Sequence, residues 1–320
     1  MKYSELGRTG IKVSKIALGG HEYLPDGRSR GFNENFDLAI KPGYIFEGFG
    51  GKSRIEVLKT AYELGINFFD VTQDSEKEAI GRNFKEVSPP YKVYIQTRPE
   101  GMVYTYDENN IKMTQLDTLR NEAKRILKLI NREIIDFFNI APMKAAFDHD
   151  PEYLDKIGYN LSVLKKEGYI RFASADTFSG EEIYLKMIES GHFDAVYINF
   201  NFGDYKPLEK VFPLAKERNL GVITREAFMK GQLFKMADEA GIADKSIVAK
   251  AALKWCLSHD VVNTIVYGTG KVPHLVSAVK VLEEGPLTEE ENKIIDKIRE
   301  TKLYKDFESM KTAEFCGSRL

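Results

Sequence analysis

Hydrophobic positions along the chain follow a repeating rhythm. A short run of β-branched or aromatic residues is followed by a stretch with apolar residues at helical spacing. The runs predict strands at 15–18, 67–70, 93–97, 135–140, 170–174, 195–199, 221–224 and 264–267. Helical patterns fall between them, for example over 54–64, 116–130 and 246–257. Eight strand-then-helix units in series point to an α/β fold closed as a parallel (β/α)8 barrel, a TIM barrel. An open doubly wound sheet fits less well, because no G-x-G-x-x-G follows an early strand.

Local signals refine the picture. Ser179 followed by Glu182, and Thr288 followed by Glu291, read as capping boxes that open helices. The second would start a last helix over about 289–303, packed outside the barrel. The Gly7–Gly10 turn reads as a hairpin able to plug the barrel floor. Residues 21–52 separate the first barrel strand from its helix and carry Tyr23, Phe32, Phe36, Tyr44, Phe46 and Phe49. Loops after barrel strands lie over the active face, so this insertion is expected to act as a lid on one domain spanning 1–320.

Composition narrows the function classes. Across 320 residues, 46 basic and 48 acidic side chains leave a net charge of −2, with no like-charged block. Nucleic acid is therefore not an expected partner. No stretch is long and apolar enough for a signal peptide or a membrane span. Cys256, in an apolar helical run, and Cys316, near the end, read as unlinked thiols, which suits a cytoplasmic protein. The closing Ser318, Arg319 and Leu320 loosely echo a peroxisomal address. No motif sets an oligomeric state.

The segments LGRTGIKVSKIALGG (6–20), GINFFDVT (65–72), GYIRFASADTFS (168–179) and VYGTGKV (266–272) occur in an order that resembles the aldo-keto reductases over nearly the whole chain. The resemblance implies a barrel that binds NADP(H) in an extended pose and reduces aldehydes or ketones by hydride transfer. A Tyr would donate the proton, assisted by Lys, Asp and His. Asp70 matches the Asp. The Tyr is missing from Val71-Thr72-Gln73-Asp74-Ser75, Arg98 stands where the Lys belongs, and Ala141 where the His belongs. Arginine stays protonated at ordinary pH and cannot donate that proton. Tyr23, Tyr44 and Tyr104 are the tyrosines that could return a phenol from other loops.

By the same resemblance, the cofactor site would comprise several altered positions and several kept ones. Asp176-Thr177 replaces a Ser-Asn pair that holds the carboxamide, Tyr197 replaces a Gln, and Arg225 with Glu226 replaces a Tyr that stacks on the nicotinamide. Asn201 fits the pattern, and Gly231 and Leu233 partly match the pyrophosphate loop. Gly268, Thr269, Gly270 and Lys271 open a helix after the eighth strand and would hold a phosphate. NADP(H) is the implied cofactor, with a weakened nicotinamide end and no metal.

Asp70, Arg98, Asp176, Arg225 and Glu226 all fall at C-terminal strand ends and should converge on one cavity. They could satisfy one another as a structural network. Alternatively, they form a rebuilt site in which arginines grip a carboxylate or phosphate and an acid with a shifted pKa moves protons. Three functions stay open: altered NADP(H)-linked redox chemistry or sensing, cofactor-independent lyase or isomerase action on an anionic small molecule, and a non-catalytic binding or scaffold role. GFGGKS (48–53) lacks the first glycine of a phosphate loop, since Phe46 stands there, so only a helix-start anion site remains. Asp148-His149-Asp150 reads as a polar loop, His21 at the end of the first strand is a candidate to enter the site, and Lys144 reads as solvated.

Overall fold

A computed structural model describes residues 1–317; the tripeptide at 318–320 lies outside the described residues. Two short strands, β1 (Tyr3–Glu5) and β2 (Lys12–Ser14), pair antiparallel beneath the main sheet. The barrel strands follow in order: β3 (Ile16–Gly19), β4 (Phe68–Asp70), β5 (Tyr94–Thr97), β6 (Ile135–Ile140), β7 (Ile170–Ala175), β8 (Ala195–Asn199), β9 (Gly221–Arg225) and β10 (Thr264–Tyr267). All pair parallel in sequence order, and β10 closes the barrel against β3 with Ile265 opposite Ile16. Each β-branched run expected to form a strand does so, within a residue or two of its predicted bounds.

The helices between strands place their apolar faces on the sheet. In Leu116–Ile130, Leu119, Ala123, Ile126 and Ile130 recur at steps of four or three and are fully buried. The hairpin plugs the floor as expected: Leu6, Ile11 and Val13 pack with Phe68, Phe137, Ala195 and Ile223. Gly221 is required there, because a Cβ would lie 2.5 Å from the Leu6 side chain. With the floor sealed, access is left to the opposite end, where the strands point their C-termini.

Two expectations about helix ends change. Ser179 does not cap its own helix, Glu181–Glu189, which starts from Gly180 in a positive-φ conformation. Instead its Oγ accepts the Lys144 N–H at 2.7 Å and caps the neighbouring helix Lys144–His149. The last helix stops at Glu300, and Thr301 restarts the chain as Lys302–Phe315 by accepting the Tyr304 N–H. The Thr288–Glu291 capping box forms as expected.

The 21–52 insertion is tied down by specific bonds. Gly43 N–H donates to Asp74 and Phe46 N–H to the Ser75 hydroxyl, both at the start of helix Asp74–Glu86. The Gln73 amide donates to the Arg30 carbonyl, and Gly50 N–H donates to Glu22. Beneath lies a buried ionic cluster in which Lys77 bridges Asp74 and Glu100 at 3.0 and 3.1 Å while Arg125 holds Asp74 and Glu122. These contacts fix the insertion over the mouth. No helix among the described residues is long and apolar enough to cross a membrane.

Candidate active site

The mouth is organised around two carboxylates. Asp176, just after β7, is fully buried and accepts from five donors. Arg225 at the end of β9 gives it two hydrogen bonds, 2.7 and 2.9 Å long. Tyr104 and Tyr184 donate their hydroxyls, and Asn139 its amide. Arg225 also donates to Asn199 at 2.6 Å and lies over the Tyr197 ring, 4.3 Å from its centre. Burial alone would lower the Arg225 pKa, but Asp176 outweighs it and raises the pKa well above normal.

Asp70, at the end of β4, accepts from Gln96 at 2.9 Å and from the Tyr197 hydroxyl at 2.7 Å. Burial raises its pKa despite those bonds. Arg98, just after β5, has a different environment. Its guanidinium sits against the rings of Tyr104, Tyr106 and Phe32, at 5.1, 5.6 and 5.7 Å. It is 7 % exposed, and its Nε proton has no acceptor among the described residues. The carboxylate clamp formed by Asp176 therefore belongs to Arg225, and Arg98 contacts aromatic faces while Glu100 and Asp176 act on it only from beyond ion-pair distance.

Two groups that sequence reasoning underused complete the mouth. His21, after β3, contacts Glu76 at 2.7 Å. Glu76 also accepts from Thr72 N–H and from the Gln73 amide. Burial opposes both charges, yet pairing wins: His21 is raised, and Glu76 is held down at about 2. His21 also lies within the fields of Asp70 and Arg98. The sequence had offered His21 as a possible visitor; Glu76 carried no signal beyond its place after the strand.

Phenols stand in the mouth, each hydrogen-bonded to a carboxylate. Tyr104 enters from the loop after β5 in a left-handed conformation, φ 50°, and its N–H bonds to the Ala141 carbonyl. Burial and Asp176 raise its pKa, as burial and Asp70 raise that of Tyr197. Arg98 and Arg225 act to lower the Tyr104 pKa and Arg225 that of Tyr197, but burial and the carboxylate each hydroxyl donates to outweigh them. Tyr23 packs its hydroxyl beside Gly268, just past the end of β10, and Tyr44 meets Phe46 edge-on within the insertion.

The remaining sequence candidates separate. Thr177 donates to the Pro142 carbonyl and accepts from Ser179, which ties two loops together. Asn201 holds the loop after β8 through Glu226 and Gly203. Glu226 pairs with Lys230 at 3.2 Å and does not join the Asp176 cluster. Leu233 is buried in a side cluster, and Gly231 ends a 3-10 turn with φ 84°. Thr269 caps Lys271 N–H at 3.1 Å, while the Lys271 side chain is exposed. A cavity of about 50 Å³ opens beside Thr177, Asn199, Asp204 and Lys311, room for a few waters. Burial pushes Asp204 there up to about 7. Lys144 is solvated and pairs with Asp148 and Glu182. Among the described residues no His, Cys, Asp and Glu cluster is placed to hold a metal.

Comparison with known proteins bears on the origin of this arrangement. The sequence profile of the Aldo/keto reductase family matches residues 47–247. The chain belongs to the aldo/keto reductase family. It is 24 % identical to L-galactose dehydrogenase of Arabidopsis thaliana, over 87 % of this chain and 88 % of that one. It is 22 % identical to aldo-keto reductase YhdN of Bacillus subtilis, over 75 % of this chain and 66 % of the other. Among solved structures, aldo-keto reductase AKR11C1 from Bacillus halodurans, in its holo form, superposes with a TM-score of 0.68 at 19 % identity, over 93 % and 96 % of the two chains. The fold is thus that of the aldo/keto reductases, an oxidoreductase family whose members generally use NADP(H).

Proposed function

We propose that this member of the family has left carbonyl reduction and catalyses proton transfer on a small anionic carbonyl compound, as an isomerase or lyase without a nicotinamide cofactor. The observation that carries the reading is the buried Arg98 guanidinium, which sits among three rings with its Nε proton unaccepted and no carboxylate in ion-pair contact among the described residues. A buried charge normally has a partner, and a planar fork of N–H donors suits a carboxylate or phosphate.

The nicotinamide end supports the same reading, since its residues do not fit the ring. Arg225 covers Tyr197 and is bonded twice to Asp176, so the stacking and carboxamide positions are both occupied by protein. A guanidinium there also repels an oxidised, cationic nicotinamide.

Proton movement falls to Asp70 and His21. Asp70 has a raised pKa, which suits a carboxylate that accepts a proton from carbon. His21, held protonated by Glu76, donates to the carbonyl oxygen as that bond's electrons shift. The product of the first step is an enol; its release is a keto–enol isomerisation with no net oxidation, and return of a solvent-derived proton to the same carbon gives exchange. Arg98 anchors the anion throughout.

A second reading rests on Lys271. It is exposed, has no acidic partner among the described residues, and begins a helix at the family's phosphate end. A nucleotide bound by that end alone would suit a sensing role.

The test of the first reading is deuterium exchange. Incubating the protein with 2-oxo acids in D2O should label the carbon next to the carbonyl faster than buffer does, as followed by proton NMR. Asp70→Asn should slow that labelling by about 10²–10⁴. Exchange at the buffer rate across the panel would remove the proposal.

A further inference from the structure

Six aromatic rings form an unbroken chain around the mouth. His21 meets Phe32 at 5.7 Å, Phe32 meets Phe36 at 6.2 Å, and Phe36 meets Tyr106 at 5.7 Å. Tyr106 meets Tyr104 at 5.8 Å, and Tyr104 stacks on Phe178 at 4.3 Å. Arg98 lies inside this chain against Phe32, Tyr104 and Tyr106. Two of the rings, Phe36 and Phe178, are each 48 % exposed.

A guanidinium against three rings gains from each of them, yet it still has an N–H proton without an acceptor. An oxyanion would supply that acceptor. Half-exposed phenylalanines on the same rim offer ring faces and edges that water does not satisfy. The two features are one ring contact apart: Phe36 touches Tyr106, and Phe178 stacks on Tyr104. A molecule with its anion on Arg98 can therefore reach either exposed ring with its remaining atoms.

We infer that the substrate is an aryl or arylalkyl oxyanion, with its carboxylate or phosphate on Arg98 and its ring against Phe36 and Phe178. This rests on the anion-binding reading given above and goes beyond it by assigning the apolar half of the ligand. The insertion contributes Phe32 and Phe36, so it acts as a wall of the site and selects the ligand as well as covering it. Tyr104 contributes in two ways: its hydroxyl is fixed by Asp176 and its face is fixed by Phe178.

The experiment is a titration of the whole protein, by calorimetry and thermal shift, with matched probes. Phenylpyruvate and pyruvate differ by the ring. Phenyl phosphate and inorganic phosphate repeat the comparison for the other anion. Benzyl alcohol keeps the ring without the charge. At least one ring-bearing anion should bind about tenfold more tightly than its ringless counterpart. Benzyl alcohol should give no saturable signal. Phe36→Ala and Phe178→Ala, both at exposed positions, should shrink the advantage of the ring. Equal binding of ringed and ringless anions, or an advantage unchanged in both variants, overturns this inference and leaves the anion site standing. Saturable binding of benzyl alcohol as tight as that of the anions, or no binding by any anion, overturns both.

Discussion

Arg225 reaches from the end of β9 to Asp176 beyond β7 and meets it with two near-parallel hydrogen bonds, 2.7 and 2.9 Å long. The pair is buried, and the carboxylate collects three further donors from Tyr104, Tyr184 and Asn139. On the proposed reading this is the place a nicotinamide would otherwise fill. Here the protein meets itself.

Removing one partner should therefore be costly. Arg225→Gln leaves Asp176 buried without its cation and is expected to destabilise the fold by about 3–5 kcal/mol, read from urea unfolding. Adding Asp176→Asn should recover part of that loss, because the uncompensated charge is then gone. Strictly additive losses would show that the two side chains are not coupled.

Arg98 should behave in the opposite way. Its charge is buried with no carboxylate in contact, so Arg98→Met is expected to leave stability within about 1 kcal/mol of the parent or raise it slightly. The same variant should lose any thermal shift produced by anions. A large loss of stability would place Arg98 in the structural network instead.

The His21–Glu76 pair sets a pH window. His21 is raised above its ordinary value, so its contribution is complete below about pH 6.5 and fades as pH rises through its folded pKa. Glu76 is held at about 2, so its contribution is complete above its ordinary range and fades only as pH falls toward 2. Between those limits both charges persist. The His21 ring resonances should titrate above 6.5 by NMR, and Glu76→Gln should bring that midpoint down. A midpoint unmoved by Glu76→Gln would break the link. His21→Gln should flatten the alkaline part of the melting profile.

Much of this architecture is legible in the sequence. The eight strands appear because β-branched runs alternate with helical periodicity, and the Thr288–Glu291 box is a local signal that needs no partner from elsewhere. The strand-end charges were also identified, since a barrel aims those positions at one mouth. Their partners were not legible, because pairing depends on side-chain reach across strands distant in sequence. Arg225 takes Asp176 while Arg98 is left to rings, yet both arginines follow strands in the same way. Tyr104 arrives through a left-handed residue in an irregular loop, which no periodicity announces. Ser179 carried a correct capping chemistry but gave it to another helix, because Gly180 turns the chain away first.

On the proposed reading, protein side chains occupy the place of the nicotinamide ring. Titrating NADPH into the protein while exciting Trp255, the single tryptophan, tests it most directly. Energy transfer to a bound nicotinamide would appear as quenching with new emission from the dihydro ring. The expected result is no saturable transfer at micromolar NADPH and no oxidation of NADPH by a panel of aldehydes. Saturable transfer followed by aldehyde-dependent turnover at ordinary reductase rates would contradict the account.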